Sequence, residues 1–581
     1  MKMQSTKIIA SILFIMGMFF TSCEELLEPD NDNHSTTDRF FTDPAWAEGV
    51  LANAYVAWPN SYSFDEVATD DAVSNVKGNN YRRMATGEWS ALFDPLSIWN
   101  SAYKQIFYIN YFLGIVDDVD YAWEDKGSSS VVRDSLFKKR FKGEAYILRA
   151  WYNFELLKKH GGLGENDQAL GFVILTKPIT SVDNYNLPRS SYDSCVQFIL
   201  NDINAGIALL PNDYVDIPGD IAYNKVFGNT APTNKNRGRV NGRFGKALKS
   251  RVTLWVASQS IYNAAGKWDS AAVAAAQLLS TATGGVNGVA GMSANGHKFW
   301  LSENDVDVLF RRDYVTNNSL ESANFPPSRF GEGRVNPSQN LVDAFGTAIG
   351  YPINHASAIY DPLKPYVGRD PRLGLFIVYD SSGVNTPLTN VIRTRVEDLK
   401  DGLNQTNTST RTGYYLKKLL MPAVNLTPPS PTTARHYYPI FRYTEMFLNY
   451  AEAANEAWGY DDDPMGYGFT PKTIIARIRT RAGIAAADPY LTSIASDDDM
   501  RTLIRNERRI ELSFEGYRFW DMRRWGLPLG ETAKGVSIEN RVPTIIDVET
   551  RNYSNDMIYG PIPYQETLKS NKILQNKVWV R

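Results

Sequence analysis

Apolar residues return every three or four positions in eight stretches of the chain, the period that turns one face of an α-helix toward a core. The clearest is 191–210, where Val196, Ile199, Ile203, Ile207 and Leu210 share a face and Pro211 ends the run. Ser190 with Asp193 predicts a capping box at its start. Trp99, Tyr103, Ile106, Asn110 and Leu113 give the same spacing over 96–113. Phe141, Ala145, Leu148, Tyr152 and Leu156 continue it over 136–160, and Gly161-Gly162 supply the stop. Residues 243–262 follow through Leu248, Val252, Trp255 and Tyr262. Segments 443–458, 471–482 and 499–515 and a weaker one at 44–57 complete the set. Tetratricopeptide units stack helical hairpins of this length at a period of about 34 residues. Hairpin-like pairs are visible here, without a clean period. The pattern predicts a mainly α protein of tetratricopeptide-like helical repeats, about four helix pairs.

Between the helices the chain is polar. Residues 211–240 and 400–436 are rich in Asn, Thr, Pro and Gly, and loops longer than about 15 residues are uncommon unless functional or disordered. The middle third, 264–442, shows little period and many turns. It predicts an irregular, loop-rich subdomain with short strands such as Leu375 to Tyr379 and Val306 to Phe310.

The first residues carry a different pattern. Lys2 and Lys7 give a basic start, Ile8 to Phe20 is almost continuously apolar, and Thr21-Ser22 precede Cys23 and two glutamates. The run is shorter than the roughly 20 residues a membrane-spanning helix needs, and suits the h-region of a secretory signal. A cysteine behind small residues resembles a bacterial lipobox, with Phe20 where Leu is usual. Residues 1–22 then read as a lipoprotein signal peptide and Cys23 as the acylated N-terminus. The acidic pair after it resembles the export signal of surface lipoproteins in Gram-negative bacteria. An ordinary signal peptide is the alternative.

Loss of residues 1–22 takes the basic count from 61 to 59, against 64 acidic residues, so nothing attracts polyphosphate and no nucleic-acid partner is expected. The 13 Trp, 32 Tyr and 27 Phe suit a surface that stacks on flat ligand faces, although many such rings serve a core. With Cys23 lipidated, only Cys195 remains, inside a helix and read as a small core residue. The five histidines are scattered without metal-binding spacing, and no nucleophile elbow or Walker sequence occurs. No enzyme, cofactor or metal site is expected. The Asp-rich loops leave room for a structural Ca²⁺ that no motif supports. A carboxylate pair for glycoside hydrolysis is recognised only by its spatial separation.

A series of motifs in fixed order resembles the SusD/RagB family of surface nutrient-binding lipoproteins. Trp99-x3-Tyr103-x2-Ile106-x3-Asn110 is followed by GEAYILRAWYNFELLKKHGG (143–162), PSQNLVDAF (337–345), RDPRL (369–373) and TGYYLKK (412–418). FRYTEMFLNYAEAANE (441–456), IRTRAG (478–483), RNERRIELSFEGYRFWDMRRWG (505–526), PIP (561–563) and QN (575–576) complete the series. In 505–526, Glu507, Glu511 and Asp521 read either as a catalytic carboxylate set or as a salt-bridged junction between helices, and the resemblance favours the junction. It also implies an N-terminal SusD-like helical region with ligand-binding loops over 23–240 and a C-terminal region over 241–581. The implied role is a lipid-anchored protein on the outer-membrane surface that captures oligosaccharide or polysaccharide. It would deliver that cargo to a SusC-like TonB-dependent barrel. Peptide cargo in the same complex is the alternative, and a glycoside hydrolase a distant third.

The resemblance implies ligand contacts on an exposed surface beside the helical repeats, much of it from the loops between the first helices, where 64–95 mixes Tyr81, Trp89 and Phe93 with Asp70, Asp71 and Arg82. A ring covers the apolar face of a pyranose while carboxylate and guanidinium groups pair with its hydroxyls. A second candidate is 297–318, where Trp300 and Tyr314 flank the strand. Trp89 serves equally well as a plug holding its loop to the helices.

Overall fold

The computed structural model describes residues 44–580 except 124–126, 128, 180–185, 229–235, 237, 259–265, 281–291 and 385–390. The signal segment and Cys23 lie outside the described residues, as does Tyr262.

Among the described residues nine long helices form the frame: α1 Pro44–Val56, α2 Trp99–Ile115, α3 Ser130–His160, α4 Tyr192–Leu209, α5 Gly242–Ala257, α6 Lys267–Leu279, α7 Tyr443–Ala457, α8 Pro471–Arg481 and α9 Asp497–Glu511. From α1 to α7 each packs on the next in chain order, and α7 also packs on α8 and α9. A solenoid-like array of hairpins follows, in which each helix covers an apolar face its neighbour cannot bury alone. Where α3 meets α4 the backbones approach closely: a Cβ on Gly206 would stand 2.4 Å from Ile147. The cap of α4 is one residue later than the capping-box expectation, with Ser191 Oγ accepting from the Ser194 amide at 3.2 Å.

Helix α6 falls inside the predicted irregular middle. Its buried face is Ala271, Ala272, Ala275, Ala276, Leu278 and Leu279. Alanine is the strongest helix former but contrasts weakly with polar neighbours, so the segment has propensity without a conspicuous period. Helix α9 shows the opposite design. Asp497, Asp498 and Asp499 occupy its first turn and Arg508 and Arg509 its last, matching the helix dipole, and Ser496 caps it.

Strands are short, and every sheet among the described residues has two strands. Val308–Arg311 (β1) pairs with Pro439–Arg442 (β2), confirming a strand near 306–310. The strand expected over 375–379 is shorter: Leu375 and Phe376 end a short helix, Pro371–Phe376, and Ile377–Val378 pairs antiparallel with Tyr415–Leu416. Strands Ala533–Glu539 (β3) and Val542–Glu549 (β4) form a hairpin. Its two turn residues, Asn540 and Arg541, both adopt positive φ (50° and 68°), the geometry that matches strand twist.

The irregular part is joined to the array by aromatic packing. Trp58 stacks on Phe244 of α5 at 5.2 Å, and Phe244 meets Phe310 of β1 at 4.8 Å and Phe441 of β2 at 4.9 Å edge-on. Cys195 is buried, and burial pushes its thiol up to about 12. It is an inert core group.

Candidate functional site

The family-like motifs converge on a buried charge network. Asp370 caps Pro371–Phe376 and, with the α9 carboxylates Glu507 and Glu511, surrounds the fully buried Arg372. Arg479 of α8 reaches Glu507 at 2.7 Å and Arg481 reaches Glu511 at 2.7 Å. Asp521, on helix α10 (Arg518–Arg524), accepts from Arg508 and Arg524. These acids are a salt-bridged junction: burial alone would raise the Glu511 carboxyl, and Arg481 and Arg372 hold it well below the usual range.

That junction reaches the N-terminal loop and overturns two expected ligand contacts. Asp70 accepts from Arg518 at 2.9 and 2.8 Å and from Arg509 at 2.8 Å, and Asp71 accepts from Arg509 Nε at 2.8 Å. Both acids are buried, and tie the loop to α9 and α10. Arg82 is committed to Glu549 at 2.7 Å, a carboxylate shared with Arg411 and Arg551.

Trp89 is likewise buried, with Phe519, Tyr553 and Trp579 around it and its indole donating to Asp94 at 3.0 Å. The plug reading holds for it. Trp300 is buried against Phe299 and Phe376 and donates to the Leu420 carbonyl at 3.2 Å. Tyr314 is half-buried between the guanidinium groups of Arg311 and Arg435, 4.1 and 3.9 Å from its ring, and its hydroxyl donates to the Glu303 carbonyl. Asp70, Asp71, Trp89 and Trp300 are therefore closed to an incoming ligand, because all four side chains are buried in the protein.

Tyr81 has a different position. It lines an open cavity of about 370 Å³ between the helical array and the C-terminal elements, within the ~300–1,000 Å³ range of small-molecule sites. One wall is α3, with Glu155, Lys158 and Lys159 in its last turns, and a second is α5, with Arg251 and Trp255. The segment after α1 adds Tyr62 and Asp65, and the C-terminal part adds Tyr438, Tyr517 and Trp520.

Most of the charged groups here are paired. Glu155 accepts from Lys158 at 2.6 Å and faces Lys159 at 3.4 Å. Burial would raise its carboxyl, yet the two lysines hold it at about 2. Arg251 forms a bidentate pair with Glu445, both bonds 2.7 Å, and donates to the Tyr517 hydroxyl at 3.1 Å. Trp255 and Trp520 meet edge-on at 5.9 Å.

Asp65 differs. It is 6% exposed, Oδ1 is enclosed without a donor, and burial raises its carboxyl to about 6 against the pull of Lys159, Lys158 and Arg523. Rings interleaved with charged groups, around two carboxyls displaced in opposite directions, make this cavity the candidate ligand site. Sequence reasoning reached Tyr81 alone among these residues. Glu155, Lys158 and Lys159 sit in the 143–162 motif, where their charge at the end of a helix buried from Ile147 to Leu157 was the available signal.

Residues 303–579 match the family model described as "SusD family", and residues 26–222 match a second, described as "Starch-binding associating with outer membrane". The chain belongs to the SusD family. A relative, SusD-like protein P38 of Formosa agariphila, is 22% identical over 99% of both chains. Among solved structures, a SusD-like protein of Bacteroides fragilis superposes with a TM-score of 0.71 at 23% identity, over 94% of this chain and 99% of that one. A SusD-like carbohydrate-binding protein of the same species gives 0.68 at 20% identity, over 92% and 99%. The fold is that of SusD-like proteins.

Proposed function

We propose that this SusD-family chain is a lipoprotein of the outer-membrane surface that binds oligosaccharide and passes it to a SusC-like TonB-dependent barrel without altering it. The observation that carries the reading is the cavity beside Tyr81, where tryptophan and tyrosine rings alternate with fixed charged groups. Rings supply the apolar contact a pyranose face needs, and carboxylate and hydroxyl groups supply directional hydrogen bonds. The description of one matching family as starch-binding and outer-membrane-associated supports the cargo class and location.

Anchoring rests on Cys23. No helix among the described residues is long and apolar enough to cross a membrane. A single acyl chain binds a bilayer only marginally, so the anchor requires multiple acylation. Peptide cargo remains the alternative and no feature of the cavity favours it.

The test is fractionation with affinity capture. Wild-type protein partitions with outer membranes and brings down a large β-barrel, and Cys23→Ala is released from the membrane fraction. Capture of no barrel by the membrane-bound wild type contradicts delivery. A Cys23→Ala protein that stays membrane-bound contradicts the anchor.

A further inference from the structure

A second groove, of about 310 Å³, runs beside α2 and shares no lining residue with the cavity at Tyr81. Its apolar walls are Tyr103 and Phe107 of α2, Leu175, Ile179 and Leu187 from the segment between α3 and α4, and Ile573 beyond helix α11 (Tyr564–Lys569). Two polar side chains at its floor are engaged inside the protein. The Tyr103 hydroxyl donates to the Val173 carbonyl at 3.1 Å and accepts from the Val173 amide at 2.9 Å. Asn110 donates to the Leu175 carbonyl at 2.9 Å, and its Oδ1 accepts from Arg149 at 2.8 Å. Phe107 is 41% exposed, stacks on Tyr111 at 6.5 Å and meets Tyr108 edge-on at 5.8 Å, so the apolar lining continues along the outer face of α2.

Charge is confined to the rim. Glu566 accepts from Lys569 at 2.7 Å, which balances that pair. Lys177 is exposed, and no carboxylate among the described residues pairs with it. The groove is an apolar trough with one cation in excess at its edge.

We infer that this groove binds a single-chain acyl anion, a fatty-acid carboxylate, with its chain along Phe107, Leu175 and Ile573 and its head group at Lys177. The site is independent of the glycan reading and lies outside it.

Three features select this ligand class. A sugar needs directional partners for several hydroxyls, and here Tyr103 and Asn110 already bond within the protein. A cationic amphiphile would bring its charge to Lys177, whereas a carboxylate complements it. Size separates one chain from two. A water's share of liquid volume is about 30 Å³, and a methylene is close to it in size, so the groove holds roughly ten such groups. That is one chain of about ten carbons, without room for the pair of chains on a phospholipid. Each buried methylene adds to affinity. Chain length therefore sets the strength of binding, and Lys177 sets the preferred charge.

The experiment is calorimetric titration of residues 23–581 carrying Cys23→Ala, without detergent, so that neither an anchor nor a surfactant fills the groove. The probes are decanoate, hexanoate and decyltrimethylammonium, each below its micelle-forming concentration. Lys177→Glu and Phe107→Ser, both at exposed positions, are titrated in the same background. Sedimentation with phosphatidylglycerol vesicles is run beside them. The parent chain is expected to bind one decanoate, hexanoate about tenfold or more weaker, and decyltrimethylammonium weakest. Lys177→Glu is expected to weaken decanoate about three- to tenfold and to favour decyltrimethylammonium. Phe107→Ser is expected to weaken decanoate several-fold.

Unchanged decanoate affinity in Lys177→Glu, or equal binding of the anionic and cationic chains by the parent, overturns the head-group contact. Unchanged affinity in Phe107→Ser overturns the placement of the chain. Sedimentation with vesicles but no binding of monomeric decanoate makes this face a membrane contact and overturns the single-chain site. Binding of neither decanoate nor vesicles overturns the inference outright.

Discussion

Glu155 and Asp65 share one cavity and respond to pH in opposite senses. The Glu155 carboxyl, held at about 2 against an ordinary 4.5, contributes stability that is complete above the ordinary value and is lost as pH falls toward 2. Asp65 is raised from 3.8 to about 6, so its ionisation is disfavoured in the folded protein. Its effect on stability worsens as pH rises from about 4 through 6 and stays unfavourable above that. The Tm difference between Asp65→Asn and wild type is therefore expected to be near zero at about pH 4 and positive at pH 7. A thermal melt series checks it, and a difference that shrinks with rising pH would contradict the sign. Residue types near the site were legible in the sequence, but partners were not. Asp70 and Asp71 looked like a ligand's hydrogen-bond acceptors because Arg509 and Arg518 lie more than 430 positions away along the chain. Sequence spacing carries no record of such a pairing.

The helical elements follow from local pattern wherever polar and apolar faces contrast strongly. The periodic runs near 99, 141, 196 and 248 all became helices of the array within a few residues of their predicted limits. Among the elements that escaped, two did so for clear physical reasons. Alanine-rich α6 presents a flat hydrophobic profile, and the β3–β4 hairpin turns at Asn540-Arg541 without the glycine that usually marks such a turn. What holds α8, α9 and Pro371–Phe376 together is the buried network around Arg372. Replacing Arg372 with Ala leaves Asp370, Glu507 and Glu511 enclosed without that counter-charge and is expected to cost about 3–5 kcal/mol. Arg372→Lys is expected to restore only part of this, because a lysine cannot make the forked contacts to three carboxylates. Urea unfolding midpoints measure both. Wild-type stability in Arg372→Ala would show that the junction contributes little.

At the scale of the whole molecule, the array of α1 to α9 and the loop-rich part meet along the cavity. A ligand there touches α3, α5 and the C-terminal elements at once. Mainly helical architecture and family were readable from motif order. The cavity was not, since it is bounded by segments near 62, 155, 251, 438 and 520 that only the tertiary fold brings together. That placement gives the binding reading its most direct test. Trp151, Trp255 and Trp520 line the cavity, so ligand entry alters their surroundings. Tryptophan fluorescence of the full chain, titrated with neutral oligosaccharides, is predicted to change saturably with at least one of them. A flat response to every oligosaccharide, beside a saturable response to peptides, would contradict the account.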